Sequence, residues 1–508
     1  MVLRGGLILL ATAALGLAAP AAARAGHSPQ APMLGAFART LTMGAWAAPT
    51  GSRAVEVVGH VNPGEDANGQ IWAHRGHAYL ASFATLRSSC GSGVRVYDLR
   101  NPRSPRRVSA FARADSDPAL GGTYPDQARV RSARTPFFRG DLAAVGLQRC
   151  REPFDGRGGT RGFALYDVTR PATPRLLSIV NTLPVNGSHE LWLQTVGNRA
   201  YVYTAIPRAE LAGSPNGVVP GNPDFRIYDV SNPRQPVQVG QWGIWANLGI
   251  KPTRSQFVHS VITNQAATRA YLSYWEFGTV ILDISNPTTP SLVAQVRDPG
   301  QVEPPHAHSA ALAARGRVLI ETHEFGRFFN FTGTGYPRFY DLTDERNPKL
   351  IGRFEPPGTE SSTVHDPRVV GNRAYISWYD HGIVVLDITS PRAPRELAHF
   401  VPGGGRNSGN PYCSGCPFVW GVFPYLDYMV ASDMNSGLWM LKLRCVVPRV
   451  RGLALPAARA ALARADCRTG KVRRVAAGRA RRGRVVSQRP GPGAKPSFPA
   501  AVRLTVGR

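Results

Sequence analysis

The sequence predicts an all-β protein, a seven-bladed β-propeller followed by a small α+β domain. An apolar strand that ends in Asp, with a Pro-containing turn after it, recurs six times in units of about 45 to 70 residues, a period typical of propellers and arrays. The composition, 43% apolar with 53 Gly and 43 Pro, suits a folded, turn-rich β protein. Near the C-terminus a helical pattern precedes three short strand patterns.

The first 25 residues have the pattern of a signal peptide. Arg4 precedes an apolar stretch at 7–17, and small residues at 23–25 offer a cleavage site. The apolar stretch is too short to span a membrane comfortably, and no later one is long enough. We therefore expect a secreted protein without a transmembrane segment, with a leader or linker over 26–54.

Residues 55–443 hold the repeats. The six complete units end their third strand at Asp98, Asp167, Asp229, Asp283, Asp341 and Asp387. The strand at 55–61 reads as the last strand of a unit, yet no unit precedes it. Conversely, 428–432 and 438–442 are two strands of a unit that lacks its last strand. We expect the N-terminal strand to complete this seventh blade and so close the ring, which removes exposed sheet edges.

The repeated Asp-Pro stretch itself predicts a turn and no chemistry. An Asp side chain can accept a hydrogen bond from the backbone two residues on, and Pro fixes φ and lacks an N–H. The copies such as Val280-Ile281-Leu282-Asp283-Ile284-Ser285-Asn286-Pro287 resemble the LVIVD repeat of secreted bacterial proteins. The resemblance covers roughly residues 55 to 443. It implies a β-propeller and assigns no activity, because that family is largely without assigned activities.

Residues 445–508 form a second predicted domain. A helix is expected over 453–465, followed by strands at 472–475, 485–488 and 501–506. The opening Val447-Pro448-Arg449-Val450-Arg451-Gly452, the helix and the later Ser487-Gln488-Arg489-Pro490 turn resemble the PASTA domain in that order. The resemblance implies a module associated with peptidoglycan, penicillin-binding proteins or receptor kinases. This chain has a single copy where tandem arrays are common, which leaves muropeptide binding open.

Six cysteines in an exported protein predict disulfides. Position suggests three pairs: Cys90 with Cys150, Cys413 with Cys416, and Cys445 with Cys467. Cys413-Ser-Gly-Cys416 is also compatible with a redox pair or half of a thiolate metal site. No second Cys-x-x-Cys accompanies it, so a loop disulfide is favoured.

Histidines recur at one position of the repeat. Four consecutive units place His at the start of the innermost strand: His189, His259, His306 with His308, and His365. That strand lines the channel of a propeller, so these side chains are expected to converge at one mouth. Glu190 and Asp366 follow two of them directly, as further ligands or as groups that orient ligands. A second ring of acids precedes the third strands: Glu276, Glu324, Asp380 and Asp433.

Three interpretations of the histidines remain open. They bind a transition metal (Zn, Cu or Fe, since imidazoles with nearby carboxylates suit these ions), they form a hydrogen-bonded structural ring, or they line a metal-free polar pocket. No catalytic residue and no organic cofactor site is predicted, because no nucleophile elbow, phosphate loop or dinucleotide fingerprint is present.

The net charge of +27 is compatible with an anionic partner, such as a wall polymer or lipid headgroups, and equally with a solvated basic surface that has no partner. Residues 445–508 alone contain sixteen basic residues and one acid, Asp466. Nucleic acid is not expected, because no aromatic side chains are interleaved with the basic pairs. Peptidoglycan or another anionic envelope polymer, with envelope proteins as further partners, fits an exported protein better.

Two hypotheses of function follow. The favoured one is a secreted, cell-wall-associated, non-catalytic binding protein, with the propeller as an interaction platform and the C-terminal domain as the envelope module. The alternative is a secreted metalloenzyme of oxidase or hydrolase type with a His-lined metal site in the channel, which rests on analogy between folds.

Overall fold

The computed structural model describes residues 49–508 except 53, 84–91, 150–160, 183–186, 298–303, 325–334, 357–362, 404–414, 466 and 497–500. Within this part of the chain, antiparallel β-sheets dominate and the helices are few and short, which confirms the all-β class. The predicted signal peptide, residues 1–25, lies outside the described residues. No helix in the described part is long and apolar enough to cross a membrane.

Seven antiparallel sheets, numbered here in chain order, account for residues 50–443 of the described chain. Sheet 1 contains Asn68–His74, His77–Ser82, Val94–Asp98 and Arg106–Phe111. Sheet 2 contains Thr123–Tyr124, Ala128–Arg134, Arg139–Arg149, Gly162–Asp167 and Arg175–Asn181. Sheet 3 contains Glu190–Val196, Arg199–Ala205, Phe225–Asp229 and Val237–Trp242. Sheet 4 contains Ser260–Thr263, Arg269–Tyr274, Gly278–Asp283 and Ser291–Val296. Sheet 5 contains Ala307–Ala313, Val318–His323, Pro337–Asp341 and Lys349–Arg353. Sheet 6 contains Pro367–Val370, Arg373–Trp378, Gly382–Asp387, Arg395–Val401 and Thr50–Gly51. Sheet 7 contains Val419–Tyr425, Tyr428–Asp433, Gly437–Leu443 and Val55–Val61.

The sheets are arranged in a propeller-like ring. We call inner strands those that begin at 68, 128, 190, 260, 307, 367 and 419. Each inner strand contacts the inner strand of the next sheet, and that of sheet 7 contacts that of sheet 1. The N-terminal strand Val55–Val61 pairs antiparallel with Gly437–Leu443, from Val55 opposite Leu443 to Val61 opposite Leu438. The two ends of the repeat region therefore share one sheet.

Part of the predicted leader also belongs to a sheet. Thr50 and Gly51 pair with Val401 and Phe400 at the outer edge of sheet 6. The sequence assigned these two residues to a linker, because two residues carry no alternation pattern. The pairing covers backbone groups that an edge strand would otherwise expose.

The six marker aspartates all make the predicted turn contact. In each, Oδ1 accepts a hydrogen bond from the backbone N–H two residues on, at 2.8–3.0 Å. In all six sheets, a β-bulge interrupts the pairing of the third and fourth strands just before the marker aspartate. An identical contact in every copy is what a scaffold element requires.

Apolar side chains pack between neighbouring sheets. Sheets 1 and 2 share a buried cluster that contains Val96, Phe111 and Val145, and sheets 6 and 7 share one that contains Val385 and Leu441. Each such side chain contributes about 1.5–3 kcal/mol through burial. The ring is thus held by contacts between sheets, while the inner strands remain available for polar side chains.

Residues 445–508 form a separate small unit, the C-terminal module. Its helix, Leu455–Arg464, is followed by strands Arg468–Val475, Val485–Arg489 and Ala501–Gly507, in the predicted order. The last strand is central, parallel to the first and antiparallel to the second. The helix packs Ala458 and Leu462 against this sheet.

The structure locates three of the six cysteines. Cys445 and Cys467 form a disulfide that joins the start of the module to the end of its helix. Cys416 is also disulfide-bonded. Cys90, Cys150 and Cys413 lie outside the described residues, so the first two predicted pairs stay predictions.

Short helices complete the described chain. The α-helices are Ala209–Ala212 and Ile244–Leu248, and the 3₁₀ turns are Pro118–Leu120, Ala314–Gly316 and Arg479–Arg481. Both α-helices lie in connections at the end of the ring where the inner strands of sheets 3 and 4 begin.

Candidate metal centre

Four of the five predicted histidines form one buried cluster on the inner strands of sheets 3 to 6. His189, His259, His308 and His365 are 8%, 4%, 2% and 2% exposed. Their ring centroids follow one another at 4.3, 4.2 and 4.3 Å. The repeat places them there, because each stands at the start of an inner strand and the inner strands of successive sheets contact one another.

Hydrogen bonds fix which nitrogen of two imidazoles carries the proton. Nδ1 of His259 lies 3.0 Å from the carbonyl oxygen of His308, and Nδ1 of His365 lies 2.6 Å from that of Trp420. A carbonyl oxygen only accepts, so Nδ1 donates in both rings. In the neutral imidazole, Nε2 then keeps its lone pair.

The other two imidazoles have the same tautomer. Nδ1 of His189 lies 2.9 Å from Oε1 of Gln148, whose amide nitrogen donates to Asp126 at 3.3 Å. Nδ1 of His308 lies 3.2 Å from the hydroxyl of Ser309, and that hydroxyl donates its one hydrogen to the His365 carbonyl at 2.9 Å. With the Gln148 amide and the Ser309 hydroxyl in these roles, each Nδ1 is the donor and all four Nε2 atoms carry lone pairs.

Two of these lone pairs face each other. Nε2 of His189 and Nε2 of His259 are 2.8 Å apart, and neither bears a hydrogen when both Nδ1 atoms donate. Two acceptors at this distance repel unless a cation lies against both. Two nitrogen ligands of one ion, each about 2.0–2.1 Å from it, are separated by roughly 3 Å. The spacing fits a shared metal ion.

Glu324 adds a carboxylate to the cluster. Its Oε2 lies 3.6 Å from Nε2 of His308, and its Oε1 accepts a hydrogen bond from the hydroxyl of Tyr379. Ligand atoms of His259, His308 and Glu324 all lie within 4.8 Å of one another. The sequence placed Glu324 in a second ring of acids near His323, and the structure brings it to the histidines.

Burial favours the neutral form of every group in the cluster. It lowers the pKa of His189 to about 3 and that of His365 to about 4, and holds the pKa values of His259 and His308 well below the usual range. It also raises the pKa of Glu324 to about 8. Neutral imidazole is the metal-binding form, so the histidines need lose no proton to bind a metal.

Two aromatic residues in strained backbone conformations line the cluster. Trp275 and Tyr379 have φ values of 27° and 21°, and each forms a β-bridge to the inner strand of the next sheet. The Trp275 ring packs 5.1 Å from His259, and the Tyr379 ring packs 4.9 Å from His365. Such conformations cost about 1–3 kcal/mol and are concentrated at functional sites.

The structure places Glu190 and Asp366 in ion pairs rather than toward the lone pairs. Glu190 lies 3.4 Å from the buried Arg129. Asp366 lies 2.7 Å from a guanidinium nitrogen of Arg368 and accepts a hydrogen bond from Gln70 at 2.7 Å. These contacts are to Arg129, Arg368 and Gln70, so the choice between a ligand role and an orienting role stays a prediction for both carboxylates.

His306 occupies a different position from the other four. Its Nε2 lies 3.8 Å from Oε1 of Glu276, and its ring centroid lies 5.9 Å from that of His323. It stands two residues before His308 with a φ of 45°, and this turn accounts for its separate environment. Sequence spacing alone gave both histidines equal weight.

Gln148 and Tyr379 are site residues that the sequence hypothesis did not name. Gln148 lies on the second strand of its sheet, 41 residues from His189, and carries no repeated pattern. Tyr379 precedes Asp380 in a turn where only the acid attracted attention. Of the other acids of that ring, Asp433 accepts hydrogen bonds from the backbone of Phe418 and Ser436 and fixes a turn.

Comparison with known proteins identifies the repeat. Residues 270–298 and 363–400, in sheets 4 and 6, match the family model described as the LVIVD repeat, so the chain carries LVIVD repeats. No curated protein matches the chain. Among solved structures, the computationally designed Ika8 protein aligns over 76% of this chain and 99% of its own, with 8% identity and a TM-score of 0.44. That score does not establish a shared fold.

Proposed function

We propose that this is an exported protein whose seven-bladed propeller binds a transition-metal ion on its axis. His259, His308 and Glu324 are the central ligands, with His189 and His365 completing the set. The observation that carries the proposal is the common tautomer of the four histidines. A metal-ligating histidine donates its other ring N–H to a carbonyl, carboxylate or similar acceptor, and in all four rings Nδ1 lies within hydrogen-bond distance of such an oxygen.

The donor set selects the class of metal. Imidazole nitrogens with one carboxylate suit Zn, Cu or Fe, whereas Ca and Mg prefer all-oxygen sites. The ion would supply Lewis-acid or redox chemistry. Because the four histidines are nearly inaccessible to solvent, the geometry supports metal binding or storage more than turnover of a large substrate. A secreted metalloenzyme is the less favoured version of this proposal.

Elemental analysis of the full-length protein, purified without added ions, tests the proposal. We expect close to one Zn, Cu or Fe per chain. The His259→Ala/His365→Ala double variant should lose it, while His77→Ala, which removes an imidazole bonded to the Arg75 carbonyl at the other end of the ring, should keep it. A wild-type protein that is metal-free and cannot be loaded by any of the three ions contradicts the proposal.

A second proposal concerns the C-terminal module, and its charge supports it. The module resembles a PASTA domain, and its sequence contains sixteen basic residues and one acid, Asp466. The strand Arg468–Val475 exposes Arg468, Lys471, Arg473 and Arg474. We propose that the module holds the secreted protein at the cell wall by binding peptidoglycan or another anionic envelope polymer.

Co-sedimentation with purified sacculi tests this second proposal. The full-length protein should sediment, and deletion of residues 445–508 should release it. In the intact chain, Arg473→Glu with Arg474→Glu should weaken sedimentation and lower the salt concentration that releases the protein, because two cationic contacts are lost. Equal sedimentation of the deletion variant and the wild type would rule out anchoring by the module.

A further inference from the structure

Two long connections of sheet 3 form one lobe at the end of the ring where the histidines lie. The connections are residues 206–224 and 243–258, and we call them the sheet 3 lobe. Nζ of Lys251 donates to the carbonyl of Gly217, and Arg208 donates to the carbonyl of Arg254 at 2.6 Å. These contacts hold the two connections side by side.

The sheet 3 lobe carries an unusual share of the exposed large apolar side chains. Val218 is 72% exposed, Val219 44%, Ile250 41% and Leu248 36%. They lie on the two connections that the Lys251 contact joins. Grouped exposed apolar side chains on a soluble fold mark an interaction surface, whereas single ones need no explanation.

The charges of the lobe are sorted by sign. Its two acids are buried: Glu210 accepts hydrogen bonds from the backbone of Trp245 and Ala246, and Asp224 accepts one from the backbone of Glu210. The charged residues at its surface are cations, with Lys251 and Arg254 exposed. The surface of the lobe therefore combines exposed apolar side chains with the positive charges of Lys251 and Arg254.

The lobe is also internally fixed. The Glu210 carboxylate lies at the N-terminal end of the helix Ile244–Leu248, and Tyr274 of sheet 4 donates to it at 3.4 Å. Trp245 is buried beneath Lys251, whose Nζ lies 5.2 Å from the ring centroid. Such anchoring keeps the apolar side chains displayed instead of letting them fold back.

We infer that the sheet 3 lobe docks onto a phospholipid bilayer that contains anionic lipids. The four apolar side chains enter the boundary between headgroups and acyl chains, and Lys251 and Arg254 lie at the phosphate level. A protein partner of this surface would need acidic and apolar side chains side by side. A bilayer supplies both in adjacent layers, the anionic headgroups and the acyl chains. Docking in this way directs the histidine end of the ring toward the membrane.

Vesicle flotation of the full-length protein tests the inference. Vesicles of phosphatidylcholine alone are compared with vesicles containing one-third phosphatidylglycerol. We expect binding to the anionic vesicles only. Val218→Ser with Ile250→Ser should lower the partition coefficient roughly tenfold, because two apolar side chains no longer enter the bilayer. Val237→Ser with Leu292→Ser, two exposed apolar residues on outer strands of sheets 3 and 4, is the matched control and should bind as the wild type does.

The basic C-terminal module is present in every variant, so its attraction to anionic lipid is constant across the comparison. Equal partitioning of the lobe variant and the wild type overturns the inference, whatever the module contributes. Equal loss in the lobe variant and in the outer-strand control also overturns it, because the loss would then be non-specific. Metal content is unaffected by either variant, so the outcome is independent of the metal proposal.

Discussion

The repeated residues at the two ends of the sheets make different kinds of contact. At one end, six aspartates make the same hydrogen bond to the backbone two residues on. At the other end, four histidines at equivalent positions donate to four different acceptors: an amide oxygen, a hydroxyl and two carbonyls. Each aspartate is satisfied within its own sheet, whereas each histidine depends on a neighbouring sheet or on a residue that only its own sheet supplies.

This difference separates scaffold from site. A residue that recurs because the fold recurs brings its contacts with it. The histidines recur although their contacts differ from copy to copy. We therefore expect them to serve a purpose that the copies share, the convergence of their lone pairs on the ring axis. The pKa values follow the same division: hydrogen bonds from Arg100 lower the pKa of Asp98 to about 2, whereas burial raises that of Glu324 to about 8.

The largest effect is expected from His308→Ala. It removes a ligand nitrogen from the centre of the cluster and should weaken metal binding by more than roughly 100-fold, beyond the 10–100-fold typical of changes outside the ligand set. Competition with a chromophoric chelator measures the affinity. The matched change in the same sheet, Asp341→Ala, removes a turn aspartate and should leave the affinity unchanged. Equal metal affinities of the two variants would contradict the assignment of metal binding to the histidine end of the sheets.

A smaller effect is expected from Tyr379→Phe. The variant keeps the ring that packs on His365 but loses the hydroxyl that holds Oε1 of Glu324, and metal affinity should fall roughly 10–100-fold. The visible spectrum of the Co²⁺-loaded protein should change with it. In a Glu324→Gln background the same substitution should have little further effect, since the carboxylate that it orients is gone. Additive losses would show that the Tyr379 hydroxyl acts independently of the Glu324 carboxylate.

Substitutions of the marker aspartates should lower the stability of the protein and leave its metal affinity unchanged. Asp341→Ala removes the hydrogen bond from the backbone N–H of Thr343, at 2.9 Å, and should lower the free energy of unfolding by about 1 kcal/mol. Urea denaturation followed by circular dichroism measures it. Asp167→Ala and Asp387→Ala lose the same backbone contact together with an exposed ion pair, to Arg175 and Arg395, so they should cost a similar or slightly larger amount. A large spread among the three would contradict equivalence of the turns.

The pH dependence of stability sharpens the comparison further. Burial raises the pKa of Asp126 at the histidine end to about 8, so the folded state keeps a proton that the unfolded state releases near pH 4, and stability falls as pH rises toward 8. The histidines, whose folded pKa values are lowered, add stability with rising pH only up to about 6.5. For chelator-treated protein we expect a decline on the order of 1 kcal/mol between pH 6.5 and 8. Asp126→Asn should reduce that decline, and an unchanged slope would exclude Asp126 as its source.

The sequence was sufficient for features that act locally. The marker aspartates set the register of the sheets, and the isolated strand Val55–Val61 indicated its partner because each fragment lacked what the other had. The spacing from those markers placed the histidines at the starts of inner strands. Local propensity and repetition carry this information within a few residues.

The partners across the axis were not predictable in the same way. Asp366 binds Gln70, 296 residues earlier, and Arg129 pairs with Glu190 from the next sheet. Glu324 reaches the histidines because Tyr379, 55 residues later, holds it. Such contacts depend on the curvature of the closed ring, and no periodicity in the sequence marks them.

The pairing of Val55–Val61 with Gly437–Leu443 also constrains how the chain is made. The two strands are about 390 residues apart, so the first strand emerges long before its partner exists. Until then sheet 7 is incomplete and the ring is open. The unpaired edge of Val55–Val61 can form wrong pairings during this time. Closure is therefore expected to be a late event in folding. Since sheets 1 and 7 both border the axis, the candidate metal centre can become fully enclosed only after the last strand of the ring has been synthesised.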